Sequence, residues 1–177
     1  MTNIEINNIV FDSRKVEKGT VFIAQKGVNF DGHLFINKAI ELGAIAVICE
    51  DLLEDKKQGV TYVQVPCVNS ALAIMAANFY NNPSKKIPLV GVTGTNGKTT
   101  ITSLLYQLFK KAGYKVGLLS TVKIMVDEIE FKATHTTPDS ITINYYLDEM
   151  IEAGVDYCFM EVSSHGIHQK RTAGLTF

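Results

Sequence analysis

The sequence predicts an α/β protein with a mainly parallel sheet. Short runs of β-branched and apolar residues alternate with helical patterns along most of the 177 residues, an order typical of such sheets. The composition, 46% hydrophobic and 20% charged, is that of a globular chain. A glycine-rich segment also lies between a predicted strand and a predicted helix, where glycines allow the backbone to turn sharply.

The first half of the chain predicts four strands and two helices. The strands cover residues 8–11, 20–24, 46–49 and 61–65. One helix covers residues 32–42 and stops at Gly43, and Asn69 caps a second helix that runs to about residue 80. The polar segment 81–86 contains a proline and is the predicted linker. We therefore expect one domain over residues 1–84 and another over residues 85–177.

The second half begins with a predicted strand over residues 87–92 and a helix over residues 98–112. Apolar residues keep the helical spacing i, i+3, i+4, i+7 and i+11 and are expected to form the buried face of this helix. They are Ile101, Leu104, Leu105, Leu108 and Ala112.

The remaining elements complete the sheet. Strands are predicted over residues 116–121 and 156–162, and two short strands over residues 123–132 turn near residues 127–128. Between residues 132 and 156, Pro138 is expected in the first turn of a helix, where its missing N–H does no harm.

Charge and composition exclude several classes of partner. The chain has 17 Lys and Arg against 18 Asp and Glu, a net charge of −1, so no bulk positive field exists for nucleic acid or an anionic membrane. No apolar stretch approaches the roughly 18 to 20 residues of a membrane span, and the start lacks the pattern of a signal peptide. We expect a cytoplasmic protein. Cys49, Cys67 and Cys158 form no C-x-x-C pair and are expected to be buried thiols.

The segment over residues 91–100, GVTGTNGKTT, predicts a phosphate-binding loop. Glycines let successive N–H groups point inward, and a helix N-terminus adds partial positive charge. Lys98 would reach the β- and γ-phosphates, and the Thr99 hydroxyl would ligate Mg²⁺. Val92 stands where the general pattern has its first glycine, so a turn that binds nothing is the alternative. No Asn-Lys-x-Asp motif follows, which excludes a GTPase and leaves a small-molecule kinase open on the loop alone.

Four segments together carry a resemblance to a known family. Residues 93–99, TGTNGKT, resemble the ATP loop of the Mur ligases and explain the displaced glycine. Residues 12–16 with 19–24 and 31–32 resemble the N-terminal nucleotide-sugar domain of the members that add the third residue of the peptidoglycan stem peptide. Residues 135–139, HTTPD, and 160–166, MEVSSHG, resemble two further segments of those members, in the same order.

The resemblance implies a fold and a reaction. The expected fold is an N-terminal nucleotide-sugar-binding α/β domain followed by the first part of a central ATPase domain. In the implied reaction ATP phosphorylates the D-Glu carboxylate of UDP-N-acetylmuramoyl-L-Ala-D-Glu, and the amine of meso-diaminopimelate or L-lysine attacks the acyl phosphate. A carboxylate needs this activation because its oxygen is a poor leaving group.

The resemblance also assigns roles to residues of this sequence. Lys98 and Glu161 are the implied catalytic residues, and Thr99 and Glu161 the implied Mg²⁺ ligands. The ATP loop comprises Thr93, Gly94, Thr95, Asn96, Gly97, Lys98 and Thr99. The implied contacts to the UDP-muramoyl dipeptide are Ser13, Val28, Asn29, Phe30, Thr136, Thr137, Ser163, Gln169 and Arg171.

The family's pattern continues beyond Phe177, with a second metal ligand, a carboxylated lysine and the C-terminal domain that binds the diamino acid. We therefore expect this chain to be an N-terminal part of a ligase that does not turn over alone. Two alternatives stay open: a non-catalytic module that binds a nucleotide or nucleotide sugar, and a different P-loop phosphotransferase.

Overall fold

The computed structural model describes residues 5–27 and 31–177. The chain forms two compact units, Met1–Leu72 and Ala73–Phe177. The division falls inside the helix Val68–Phe79. The expected domain boundary between residues 84 and 85 stays a prediction.

The first unit is built on a four-stranded parallel sheet whose strands lie in chain order. The strands are β1 (Asn8–Val10), β2 (Thr20–Ile23), β3 (Ala44–Cys49) and β4 (Thr61–Gln64). Phe22 of β2 and Val47 of β3 are buried against Ile36 and Ala39, which lie on helix α1 (Ile36–Glu41). All four strands predicted for this half are therefore present.

Both helices of this half begin differently from the prediction. Residues 32–35 form a 3-10 turn, so the α-helix is shorter than the predicted range 32–42. Helix α2 covers Val68–Phe79, and Asn69 lies inside it and is not its cap. Its first N–H donates to the Glu50 carboxylate at 3.0 Å, while the Asn69 side chain accepts a hydrogen bond from Gln25. A carboxylate from a neighbouring strand end thus replaces the expected local cap.

The second unit contains a five-stranded sheet in the order β5-β9-β6-β7-β8. The strands are β5 (Leu89–Val92), β6 (Val116–Leu119), β7 (Lys123–Val126), β8 (Ile129–Lys132) and β9 (Tyr157–Glu161). β5, β9 and β6 are parallel, and β7 and β8 add an antiparallel hairpin that turns at Asp127, as predicted. The fold class is therefore the predicted α/β type with mainly parallel pairing.

The register brings the carboxyl ends of three strands together. Val92 pairs with Glu161, and Leu119 pairs with Met160. The loops that follow β5, β9 and β6 consequently leave the same edge of the sheet, where ligands of open parallel sheets bind.

Helix α3 covers Lys98–Lys111, but the predicted buried face is wrong at most positions. Ile101 is 48% exposed, Leu104 is 59% exposed and Leu108 is 62% exposed. Ala112 is also exposed, and only Leu105 packs partly against the core.

The first turn of α3 sets its rotation. The Thr99 hydroxyl bonds to Glu161 at the end of β9, so the residues three, seven and ten positions later face the sheet. Thr102 and Tyr106 are buried, and Phe109 packs on Phe159 with ring centroids 5.0 Å apart. Ile101, two positions from Thr99, points about 200° away from that side of the helix.

Helix α4 covers Ser140–Glu152 and packs Ile143, Leu147 and Met150 into the core of this unit. Its cap is Asp139, whose carboxylate accepts from the Thr142 N–H at 3.0 Å. Pro138 precedes the cap, so its predicted place in the first helical turn is wrong.

The three cysteines are all free thiols, but they are not equally buried. Cys49 and Cys158 are buried, whereas Cys67 is only half-buried, which corrects the prediction for that residue. Burial raises the pKa of Cys158 far above its ordinary value. A hydrogen bond from the Ser70 hydroxyl lowers the pKa of Cys67.

Within residues 5–27 and 31–177, no helix combines the length and the apolar character needed to cross a membrane.

Candidate nucleotide and substrate site

Residues 93–97 form an exposed loop between β5 and α3. Gly94 has a φ of +149° and Gly97 a φ of +82°, a region that side chains with a Cβ rarely adopt. The backbone N–H groups of residues 93–97 donate no hydrogen bond to any described residue, and the first N–H groups of a helix lack internal partners. The loop therefore presents a run of free donors at a helix N-terminus, which is the physical requirement for binding a phosphate chain.

Lys98 lies at the first position of α3 and folds back over this loop. Its ammonium donates to the Gly94 carbonyl at 2.7 Å and lies 3.4 Å from the Thr95 carbonyl. The structure therefore places the positive charge of Lys98 beside the free N–H groups.

Glu161 is completely buried at the end of β9. Its Oε2 accepts from the Thr99 hydroxyl at 2.9 Å and from the Thr121 hydroxyl at 3.1 Å, and its Oε1 accepts from the Thr121 N–H at 2.8 Å. No cation among the described residues forms a salt bridge with it. Buried carboxylates need partners, and neutral donors alone hold this one.

The chemistry and spacing of these groups fit Mg²⁺. A carboxylate and a hydroxyl are hard oxygen ligands, which Mg²⁺ prefers, and Mg²⁺ usually takes one or two carboxylates with phosphate and water. Octahedral bonds of 2.0–2.1 Å place neighbouring ligands about 2.9 Å apart, which matches the 2.9 Å between the Thr99 and Glu161 oxygens. In the described part of the chain, no three His, Cys, Asp or Glu side chains are arranged so that they could hold a metal ion, so oxygens of a bound ligand and of water would complete the shell.

The segment containing Thr136 and Thr137 lies beside the same carboxylate. The Thr136 hydroxyl lies 3.1 Å from the Thr121 hydroxyl. Thr137 is buried, and its hydroxyl donates to the Glu161 backbone carbonyl and accepts from the Ser163 N–H, both at 2.9 Å. The structure therefore brings Thr136, Thr137 and Ser163 around Glu161, but the Thr137 hydroxyl already makes both of these bonds.

Ser163 is the N-cap of the short helix α5 (Ser164–His168), since its hydroxyl accepts from the Gly166 N–H at 3.1 Å. The half-buried Arg171 follows that helix. Its guanidinium donates twice to the Gln169 side-chain oxygen and once to the Thr137 carbonyl. Three of its five N–H groups are thereby used among the described residues, and two remain for a ligand.

The predicted uridine-side residues belong to the first unit. Ser13 lies in a short 3-10 turn and is mostly buried. The cap of that turn is Asp12, whose carboxylate accepts from the Arg14 N–H and pairs with its guanidinium. These bonds lower the pKa of Asp12 to about 2. Val28, Asn29 and Phe30 lie outside the described residues.

Thr121, which bonds both oxygens of the Glu161 carboxylate, was not among the site residues that the sequence predicted. A signal for it existed, because Thr121 lies two residues after β6, and the ends of parallel neighbouring strands meet at one sheet edge. The order of the strands, with β9 directly beside β6, could not be read from the sequence.

Sequence comparison identifies relatives for both units. The family model described as "Mur ligase family, catalytic domain" matches residues 5–80, and the one described as "Mur ligase middle domain" matches residues 92–177. A UDP-N-acetylmuramoyl-L-alanyl-D-glutamate--2,6-diaminopimelate ligase of Cytophaga hutchinsonii is 54% identical over 99% of this chain and 36% of its own length. The ligase of that name from Clostridioides difficile is 47% identical over 96% of this chain and 34% of its own length. The chain thus spans about a third of the curated relatives it matches.

Solved structures show the same fold. The structure of a UDP-N-acetylmuramoyl-L-alanyl-D-glutamate--2,6-diaminopimelate ligase matches with a TM-score of 0.78 and 27% identity, over 96% of this chain and 34% of that one. The MurF ligase from Thermotoga maritima in complex with ADP matches with a TM-score of 0.57 and 27% identity, over 93% of this chain and 34% of that one.

Proposed function

This chain belongs to the Mur ligase family, and from that premise we propose that it is the ATP- and UDP-muramoyl-binding part of a peptidoglycan precursor ligase. The ligase would join a diamino acid to UDP-N-acetylmuramoyl-L-Ala-D-Glu in the cytoplasm. The relatives named for 2,6-diaminopimelate favour that amino acid over L-lysine. The observation that carries the proposal is the placement of Thr99 against the buried Glu161, directly after the loop with free N–H groups.

The loop and Lys98 would bind the phosphates of ATP. The N–H groups of residues 93–97 would donate hydrogen bonds to the oxygens of the phosphate chain, and the Lys98 ammonium would exchange its two carbonyl partners for charged phosphate oxygens. Thr99 and Glu161 would hold Mg²⁺, which would neutralise charge on the phosphates. This positioning would favour attack by the D-Glu carboxylate on the γ-phosphorus with ADP as the leaving group, giving an acyl phosphate from whose carbonyl carbon an amine would displace phosphate.

The residues around Thr137 would hold the muramoyl dipeptide. Among the described residues, two N–H groups of Arg171 have no partner and could bind a carboxylate or phosphate, and its bonds to Gln169 fix the plane of its guanidinium. Thr136 and Ser163 carry hydroxyls in the same place, while the buried Thr137 would act mainly by fixing the backbone. Ser13 would contact the uridine diphosphate from the first unit.

Binding of Mg·ATP by isothermal titration calorimetry tests the ATP site. We expect Lys98→Ala to weaken binding by about 10- to 100-fold, because it removes one charge-assisted hydrogen bond, which contributes about 1.5–3 kcal/mol. Lys111→Ala, at the other end of the same helix, is the matched control and should bind like the unaltered chain. Equal binding by both variants would contradict the role of Lys98.

A second titration distinguishes the proposal from its alternatives. The ligase part should bind UDP-N-acetylmuramoyl-L-Ala-D-Glu, and Ser13→Ala and Arg171→Ala should each weaken that binding. A different phosphotransferase would bind ATP and ignore this ligand. A non-catalytic module is favoured if the whole protein from which this sequence comes, with both ligands and the diamino acid, releases no ADP.

A further inference from the structure

Thr121 bonds both oxygens of a single buried carboxylate. Its backbone N–H donates to Oε1 of Glu161 at 2.8 Å, and its hydroxyl donates to Oε2 at 3.1 Å. The terminal torsion of a glutamate side chain has a broad energy minimum, so the single bond from the Thr99 hydroxyl at 2.9 Å would by itself leave the carboxylate free to rotate. Two bonds from one residue fix the plane of the carboxylate group.

The direction of the hydroxyl bond follows from a neighbouring hydroxyl. The Thr136 oxygen lies 3.1 Å from the Thr121 oxygen. A threonine hydroxyl has one proton and two lone pairs. Because a hydrogen bond to a carboxylate is stronger than one between hydroxyls, the Thr121 hydroxyl donates its hydrogen bond to Glu161 and accepts one from the Thr136 hydroxyl.

The turn after β6 does not need the Thr121 side chain. Ser120 makes that turn, with its N–H and hydroxyl donating to the Lys123 carbonyl at 3.2 and 2.8 Å. Thr121 is exposed as a residue, yet its hydroxyl points to the completely buried carboxylate. Its hydroxyl therefore serves the site and not the local chain path.

We propose that Thr121 is a positioning residue that orients the Glu161 carboxylate to bind a divalent cation together with Thr99. This inference rests on the proposed function, because the cation is the one that would accompany ATP. Substitution of a residue that hydrogen-bonds a metal ligand commonly lowers metal affinity by about 10- to 100-fold. The lower end applies here, because the N–H bond to Oε1 and the Thr99 bond to Oε2 both remain when Thr121 is replaced by Val, Ala or Ser.

The test is calorimetric binding of ATP by the 177-residue chain, with Mg²⁺ and with EDTA. The ratio of the two affinities isolates the part of binding that depends on the metal. We expect Thr121→Val to lower this ratio about tenfold while ATP affinity in EDTA stays the same. Thr121→Ser, which keeps the hydroxyl, should restore the ratio.

Thr134→Val is the matched control, because Thr134 is exposed and its hydroxyl bonds only the adjacent His135 among the described residues. Thr121→Ala removes the same hydroxyl without adding a methyl group and is measured in parallel. If one of the two variants does not fold, the other one still tests the inference. An unchanged ratio in a folded Thr121 variant overturns the inference and leaves the proposed function standing. A wild-type chain whose ATP binding does not depend on Mg²⁺ overturns both.

Discussion

Replacing Tyr106 tests the rotation of helix α3 against the rotation that the apolar spacing predicts. Tyr106 is 8% exposed and its hydroxyl donates to the Asp127 carbonyl at 2.9 Å, whereas Leu104 is 59% exposed. Removal of a buried aromatic side chain costs about 3–5 kcal/mol, and the hydrogen bond adds about 1 kcal/mol. We therefore expect Tyr106→Ala to lower the free energy of unfolding by about 4–6 kcal/mol.

Leu104→Ala should cost far less. A fully buried leucine is stabilised by about 1.5–3 kcal/mol relative to an exposed one, and less than half of Leu104 is covered, so we expect about 0.5–1 kcal/mol. If Leu104 lay on the buried face, as its spacing suggests, the cost would be about 2–5 kcal/mol. Tyr106→Phe, which removes only the hydroxyl, should cost about 1 kcal/mol.

Urea denaturation followed by far-ultraviolet circular dichroism measures these differences. A chain with two compact units need not unfold in a single transition, so amide hydrogen exchange of β6 and β9 identifies the transition of the unit that contains α3. A larger loss for Leu104→Ala than for Tyr106→Ala would refute the observed rotation of the helix.

Two further predictions follow from perturbed pKa values. Asp12→Asn should lower stability by about 0.5–1 kcal/mol at neutral pH, because Arg14 is 82% exposed and its bond to Asp12 is screened by water. Since the folded pKa of Asp12 is lowered to about 2, this stabilisation is present above about pH 4 and disappears as the pH falls towards 2. Iodoacetamide should alkylate Cys67 before Cys158, because Cys67 is half-buried with a lowered pKa while Cys158 is buried with a raised one.

Denaturation of wild type and Asp12→Asn at pH 7 and pH 2 measures the stability that Asp12 contributes. A difference that persists undiminished at pH 2 would argue against the ion pair as its cause. Mass spectrometry of tryptic peptides after timed alkylation measures the alkylation rates of Cys67 and Cys158. Modification of Cys158 at the rate of Cys67 in the folded chain would show that its burial is wrong.

The displaced glycine of the loop between β5 and α3 shows what the sequence predicts well. Val92 occupies the place of the first glycine in the general pattern, and in the structure it is the last residue of β5, paired with Glu161. Gly94 and Gly97 supply the positive φ angles within the loop. The need for such angles is local, so the sequence shows where the backbone turns.

Capping was harder to predict, because the partner comes from elsewhere in the chain. Asn69 has the residue type of a cap, but Glu50, 18 positions before Val68, accepts the first N–H of α2. Asp139 is a local cap, and here the error was only the assignment of Pro138 to the helix. A side chain brought by a neighbouring strand end leaves no trace in local spacing.

The sequence alone determined the strands of both sheets, the glycine turns of the loop over residues 93–97 and the position of Glu161 at a strand end, because these depend on backbone angles and on runs of apolar residues. Only the tertiary structure decided which face of α3 is buried and that Thr121 bonds the carboxylate of Glu161. The spacing of Ile101, Leu104 and Leu108 defines an apolar stripe but not its direction. The direction is set when Thr99 meets Glu161, a contact between residues 62 positions apart in the chain.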